Sequence, residues 1–272
     1  MPLYAGIDGK PRKLVKFFAG INGEKRELKE LWVSENGVKK KIFSKMPTSK
    51  LIGFWNTLEH VGVDTQVKLD QSKIYDVWVI EPGGNGGNGG AKWGLYNGGQ
   101  GGGGYGGAVA HLKFKPLQPT TLVIKIFQGT EGSALTIQVT ASGITIKTYS
   151  ITAQGQSTNG EDAGAFNPNP SNGQTGIGGE ASCLANEYFC TPITKETFNG
   201  VPSSRITTVT GQVPHETPFT KPTYVANVGQ DAYYSLNPDN ICLGCGAGGG
   251  AVNGGQGGKG APGGIIVFEE DA

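Results

Sequence analysis

Four cysteines are the residues of this sequence with the clearest capacity for chemistry. Cys242 and Cys245 are spaced C-x2-C, and Cys183 and Cys190 lie upstream with a C-x6-C spacing. Thiolates at C-x2-C spacing can bind one tetrahedral zinc ion together with a second pair that folding brings close, although C-x6-C is wide for such a pair. A structural zinc site, a pair of disulfides and free buried thiols are therefore the alternatives, and no other cofactor is expected.

The side chains that usually support catalysis are scattered. The histidines, His60, His111 and His215, have none of the spacings of metal-binding motifs and are expected to be surface or hydrogen-bonded polar residues. Two groups of carboxylates, at 161–162 and 269–271, are expected in a loop and in a solvated tail. Hydrolysis of a surface polysaccharide would need two carboxylates facing each other across a groove, and the sequence indicates no such pair. We therefore expect a protein that is not an enzyme.

Aromatic side chains are numerous in residues 156–243, a long segment that is poor in glycine and rich in turn-forming residues. Aromatic anchors on loops held by a rigid scaffold are typical of recognition sites. Some of these side chains must instead form the core of the segment itself. The candidate receptor-binding residues are Tyr188, Phe189, His215, Phe219, Tyr233 and Tyr234.

Two glycine tracts flank the central part of the chain, GGNGGNGG at 83–90 and GGQGGKGAPGG at 254–264. Pairs of glycines that leave every third residue free match a polyproline-II-type helix with three residues per turn, and glycine lets such helices pack closely. A flexible linker is the alternative. The aromatic residues Trp93, Tyr96 and Tyr105, in the glycine-rich sequence that continues from the first tract, and the apolar strand 264–268 after the second tract favour packing. In that case alanine should be poorly tolerated at Gly84, Gly87, Gly255 and Gly258.

Short β-prone runs bounded by turn residues lie between the tracts and before the first, for example TLVIKIFQG at 121–129. The predicted fold class is all-β. Residues 61–272 are expected to form a glycine-rich β-sandwich with packed polyglycine-II-like segments and a long loop insertion at 156–243. Residues 46–60 are expected to be a connector with a short helix.

Residues 1–45 contain a repeat of 14 residues. The segments YAGIDGKPRKLVKF, FAGINGEKRELKEL and WVSENGVKKKIFSK align without gaps. Each contains Asp-Gly or Asn-Gly at the same place, and these pairs favour type I′ turns, so each unit is predicted to be a β-hairpin. A hairpin of this size buries little by itself, so it should pack on another copy or on a larger assembly.

The distribution of charges and the length of the apolar runs indicate which partners the chain can have. Residues 1–50 carry 12 Lys and Arg against 5 Asp and Glu, which leaves 11 against 17 for the rest of the chain. The basic residues face either solvent or an acidic partner, and nucleic acid is the weaker hypothesis because aromatic residues do not alternate with the charges. No apolar run reaches the roughly 20 residues of a membrane helix, so we expect synthesis in the cytoplasm and no membrane insertion.

From Val61 onward the sequence resembles the glycine-rich domain of bacteriophage tail fibres and related receptor-binding proteins. The resemblance lies in KIYDVWVIEPGGNGG, TTLVIKIFQGTEG, SITAQGQSTNGEDAG and the closing GGQGGKGAPGGIIVFEEDA. This region is also similar to the glycine-helix tips of T-even adhesins. The N-terminal repeat resembles short Asn-Gly repeats at the ends of phage tail proteins. The insertion at 156–243 departs from the usual domain.

The resemblance implies a virion structural protein of the tail. Residues 1–45 would attach it to other tail proteins, and the body would bind a glycan or protein on the host cell surface. Because fibres are commonly trimers, a homo-oligomer is implied, with a trimer favoured. The alternative is a purely architectural baseplate, collar or capsid decoration subunit.

Overall fold

The computed structural model describes residues 49–128, 135–149, 159–201, 217, 243, 245–247 and 250–272, and the backbone of eight short strands outside these ranges. The chain divides into two units, Met1–Thr48 and Ser49–Ala272. Every element in the described part is a β-strand, and none of it is a helix that could cross a bilayer.

The first unit contains three β-hairpins, as the 14-residue repeat predicts. Two residues, Asp-Gly or Asn-Gly, lie between the strands of each hairpin, and the pairs Ile7–Lys10, Ile21–Glu24 and Glu35–Val38 adjoin them. The strands are β1 Tyr4–Ile7, β2 Lys10–Lys13, β3 Phe18–Ile21, β4 Glu24–Glu27, β5 Glu30–Glu35 and β6 Val38–Ser44.

The second unit contains the remaining strands. They are β7 Lys50–Asn56, β8 Asp64–Leu69, β9 Lys73–Ile80, β10 Val109–Pro116, β11 Thr120–Gln128, β12 Leu135–Ala141, β13 Ile144–Tyr149, β14 Glu180–Ala185, β15 Cys190–Phe198, β16 Thr208–Thr210, β17 Val225–Asn227 and β18 Gly264–Asp271.

Ten of these strands form two five-stranded antiparallel sheets. The first sheet has the order β15-β10-β9-β18-β7 and the second the order β14-β13-β12-β11-β8. Strands of the second sheet alternate in the way that a half-buried sheet requires: Ile144 and Ile146 are buried while Thr145 and Lys147 are not. The buried residues of both sheets form one apolar core, so the predicted sandwich is confirmed.

The first sheet has an apolar cluster on each of its faces. Val77 and Val79 of β9 lie in the sandwich core, whereas Trp78 and Ile80 belong to a second apolar cluster on the outer face, together with Leu243. A strand segment that is covered on both faces has a continuous apolar run rather than an alternating one, which explains the sequence VWVI at 77–80.

The two ends of the sandwich differ. Ile80, Val109 and Gly264 lie side by side in the first sheet. Glycine-rich sequence follows β9 after Ile80, and it precedes β10 at Val109 and β18 at Gly264. The chain enters the second unit at Ser49, and Lys50 pairs with Glu269 near the far end of β18. The second unit therefore has its glycine-rich part at one end and its entry point at the other.

Three boundaries differ from the sequence-based expectation. Residues 50–56, expected in a connector with a short helix, form the edge strand β7, and Ile52 and Trp55 pack on the core. The predicted insertion 156–243 is too long, because β14 and β15 within it are sandwich strands. Residues 269–271, expected in a solvated tail, complete β18.

Candidate functional site

The first glycine tract is hydrogen-bonded to two other segments with a period of three residues. The amides of Gly83, Gly86 and Gly89 donate to the carbonyls of Ala261, Gly258 and Gly255, at 2.8–2.9 Å. The amides of Gly84, Gly87 and Gly90 donate to Tyr105, Gly102 and Gly99, each at 2.8 Å. Successive glycines thus donate hydrogen bonds to different neighbouring segments. A backbone with three residues per turn produces this pattern, whereas a flexible linker does not.

The third residue of each triplet is asparagine, and its side chain closes the exposed side. The Oδ1 atoms of Asn85 and Asn88 accept the amides of Gly260 and Gly257, at 2.8 and 2.9 Å. Further segments are joined by backbone hydrogen bonds of the same kind. For example, the amide of Gly104 donates to the carbonyl of Ala247, and the amide of Gly173 donates to the carbonyl of Gln100. We call this assembly the glycine bundle; it comprises residues 83–91, 98–107, 159–163, 171–176, 245–247, 250–251 and 254–263.

Three reverse turns lie at the end of the glycine bundle away from the sandwich. Trp93 and Tyr96 exchange backbone hydrogen bonds around Gly94-Leu95, and Gly164 and Asn167 do so around Ala165-Phe166. The third turn spans 251–255, with the amide of Gly255 donating to the carbonyl of Ala251 at 3.1 Å. Gly94 has φ +57, a conformation that suits glycine at the first central position of a tight turn.

Hydrogen bonds between segments bring these turns to one place. The carbonyl of Ala91 accepts the amide of Ala163 at 2.9 Å, and the amide of Ala91 donates to Asp162 Oδ1 at 2.7 Å. The carbonyl of Gly90 accepts the amide of Gly254 at 2.8 Å. We call residues 91–97, 163–170 and 251–254 the tip.

Each turn of the tip exposes an apolar side chain. Leu95 is 95% exposed, Phe166 is fully exposed, and Val252 is also exposed. The rings of Trp93 and Tyr96 are about half exposed and lie 5° from parallel, with centroids 6.2 Å apart. Side chains this apolar, fixed on a hydrogen-bonded scaffold and left uncovered, are typical of a binding surface.

The loop that carries Phe166 is held by a carboxylate at its base. Glu161 Oε2 accepts the amide of Ser171 at 3.0 Å and the side-chain amide of Asn167 at 3.3 Å. These hydrogen bonds, that from Ser171 first, lower the pKa of Glu161. The carboxylates 161–162 therefore have a structural part in the loop.

Of the six candidate receptor-binding residues predicted from the sequence, the two that the structure describes lie away from the tip. Tyr188 is 88% exposed in the turn between β14 and β15, at the entry end of the sandwich. Phe189 is partly buried and its ring abuts Gly143. The other four, His215, Phe219, Tyr233 and Tyr234, lie outside the described residues. The tip residues were missed, although Trp93 and Tyr96 stand out as aromatic residues inside a glycine tract.

The cysteines are in different chemical states. Cys245 is disulfide-bonded, whereas Cys183 and Cys190 are free thiols facing the sandwich core. Burial raises the pKa of the Cys183 thiol to about 11 and also raises the pKa of Cys190. Of the alternatives that the sequence leaves open, Cys245 therefore matches the disulfide, and Cys183 and Cys190 match the free buried thiols. Within the described ranges no group of three His, Cys, Asp or Glu side chains is arranged so that it could hold a metal ion, and Cys242 lies outside these ranges.

A cluster of polar residues crosses the outer face of the first sheet. The ring nitrogens of His111 lie 2.7 Å from Asp76 Oδ1 and 3.1 Å from Glu196 Oε2, and its ring stacks on Trp78. Lys113 Nζ donates to Glu270 Oε2 at 2.6 Å. These contacts tie β9, β10, β15 and β18 together, so His111 is a hydrogen-bonded polar residue of the sheet.

Comparisons with the models of known protein families, with curated proteins and with solved structures find no match to this chain.

Proposed function

We propose that this chain is a component of a bacteriophage-type tail that binds the host cell surface, as a tail fibre or receptor-binding protein. In this proposal the hairpin unit attaches the chain to other tail proteins, and the tip contacts the host. The mature protein would then be located in the virion.

The tip is the observation that carries the proposal. Three turns from distant parts of the chain present Leu95, Phe166 and Val252 together, at the end of a bundle whose backbone is hydrogen-bonded from segment to segment. Preorganised loops on a rigid support lose little entropy on binding, which favours affinity.

The glycine bundle and the point where the chain enters lie at opposite ends of the second unit. This arrangement supports the proposal that the N-terminal unit attaches the chain and the tip contacts the host. The chain enters this unit at Ser49, at the end of the sandwich opposite the glycine bundle. A chain held through its N-terminal unit would thus carry the tip away from the point of entry. The excess of Lys and Arg in residues 1–50 suits an acidic attachment partner.

Binding of the fluorescently labelled full chain to a panel of bacterial strains, followed by flow cytometry, tests the proposal. The double variant Leu95→Ser/Phe166→Ser should bind a susceptible strain at least about tenfold more weakly, since hot-spot anchors contribute about 2 kcal/mol or more each. Leu117→Ser/Leu184→Ser is the matched control, because both residues are exposed apolar side chains that lie away from the tip.

Equal loss in both double variants would show that the tip is not the contact surface. If the unaltered chain binds no strain but assembles with purified tail proteins, the architectural alternative replaces this proposal.

A further inference from the structure

We propose that the tip inserts its apolar side chains into the lipid layer of the surface it contacts. The inference rests on the function proposed above and names the chemistry of the partner, a lipid interface. It concerns the ends of turns, whereas our expectation of no membrane insertion rests on the lack of an apolar run long enough for a membrane-spanning helix.

The order of side chains along the first turn matches the layers of a lipid interface. Leu95 is central in the turn and almost fully exposed, while Trp93 and Tyr96 flank it and are about half exposed. Lys92 follows towards the bundle. In membranes aliphatic side chains lie deepest, Trp and Tyr lie at the headgroup level, and Lys reaches the phosphate region.

The other two turns add apolar groups to the same end. Phe166 occupies the position in its turn that Leu95 has in the first, and Val252 is exposed in the third turn. Small-molecule sites are usually concave, whereas the tip projects separate side chains. A fluid acyl layer closes around projecting groups without a preformed pocket for each one.

The small net charge at the tip indicates that burial of apolar side chains, rather than electrostatic attraction, drives binding to lipid. Lys92 is accompanied by Glu161 and Asp162, so attraction to anionic headgroups has little net charge to act on. Both carboxylates also hydrogen-bond within the tip and its base. Binding should therefore occur on zwitterionic lipid and should persist at high salt.

Sedimentation of the full chain with phosphatidylcholine vesicles tests the inference. We expect partitioning that falls at least about tenfold in Leu95→Ser/Phe166→Ser, because each buried Leu or Phe side chain contributes strongly to transfer from water. The control Leu117→Ser/Leu184→Ser should partition like the unaltered chain. Raising the ionic strength to about 1 M, where the screening length is about 3 Å, should leave binding unchanged.

Brominated acyl chains provide an independent readout of depth. They should quench the fluorescence of the unaltered chain. Trp93→Phe should remove most of this quenching, because Trp93 is the tryptophan of the tip, whereas Trp55 packs on the sandwich core and Trp78 lies in the cluster on the outer face of the first sheet.

The two proposals fail in different ways. If the chain binds cells through the tip but does not bind vesicles, host binding stands and lipid insertion is overturned in favour of a protein or glycan receptor. Vesicle binding that survives in the tip variant, or that is lost at high salt, also overturns insertion. A chain that binds neither cells nor vesicles overturns both proposals.

Discussion

At the scale of single residues, glycine is required in the bundle where neighbouring backbones leave no space for a β-carbon. A β-carbon on Gly101 would overlap the carbonyl oxygen of Gly87, and one on Gly104 that of Gly84. The same holds for two of the glycines predicted from the sequence: Gly84 would meet Tyr105, and Gly255 would meet the backbone of Ala251. Steric exclusion, rather than unusual backbone torsion, accounts for these glycines.

We expect Gly101→Ala to lower the free energy of unfolding by about 1–3 kcal/mol, the usual cost of forcing extra volume into a packed site. Urea unfolding followed by circular dichroism measures this. Gly164→Ala is the matched control, since a β-carbon there meets nothing within 4 Å and the residue has no positive φ. It should be neutral or stabilising by up to about 1 kcal/mol, because alanine restricts the unfolded chain. Equal free energies of unfolding for the two variants would contradict a tightly packed bundle.

At the scale of elements, asparagine side chains complete the hydrogen bonding of the glycine segments. Asn88 Oδ1 accepts the backbone amide of Gly257, and the backbone amide of Asn88 donates to Asn159 Oδ1. Gln100 is held similarly by Asn172. Backbone donors that no neighbouring segment reaches are thereby paired by side chains, which explains why the free position of the triplet is so often Asn.

Asn88→Ala should remove the acceptor of the Gly257 amide and destabilise the bundle by about 0.5–1.5 kcal/mol, the net value of a typical hydrogen bond. Amide hydrogen exchange should report faster exchange at Gly257. Asn88→Asp keeps an acceptor oxygen and should restore protection. Gln256→Ala, at another exposed third position, is the control and should leave exchange unchanged. Unaltered protection of Gly257 in Asn88→Ala would exclude this function of the side chain.

The sequence predicts some elements well and others poorly, for physical reasons. The hairpins are predictable because Asn-Gly and Asp-Gly fix both turn and register locally. Strand β7 is not, because it buries Trp55 in the core and Phe54 in the outer cluster, which removes the alternating pattern. The tip is not predictable either, because the hydrogen bonds that gather its turns join residues far apart in the sequence, such as Ala91 and Asp162.

At the scale of the whole molecule, the boundary between the two units lies between Thr48 and Ser49. Strand β7, directly after it, pairs with β18 from Lys50 to Asn56 and belongs to the first sheet. The part of the chain that can fold without the hairpins therefore begins at Ser49, before Val61, where the strand-like sequence pattern predicts the sandwich to begin.

We expect a chain of residues 49–272 to be soluble and to melt cooperatively, whereas a chain of residues 61–272 should aggregate or lose its cooperative transition. The second truncation removes β7, exposing the edge of β18 and the core beneath Ile52 and Trp55. Light scattering and thermal melts distinguish the two products. Cooperative folding of residues 61–272 would show that β7 is dispensable.

The hydrogen-bonding pattern of the glycine bundle also restricts how its segments can change in length during evolution. Adding one residue to a segment would turn every later amide towards the wrong neighbour, whereas adding three would extend the segment by one turn, about 9 Å. Related genes should thus gain or lose nine nucleotides at a time in these segments, with compensating changes in every adjoining segment. The turns at the tip, which end the ladders of hydrogen bonds, are free to vary one codon at a time.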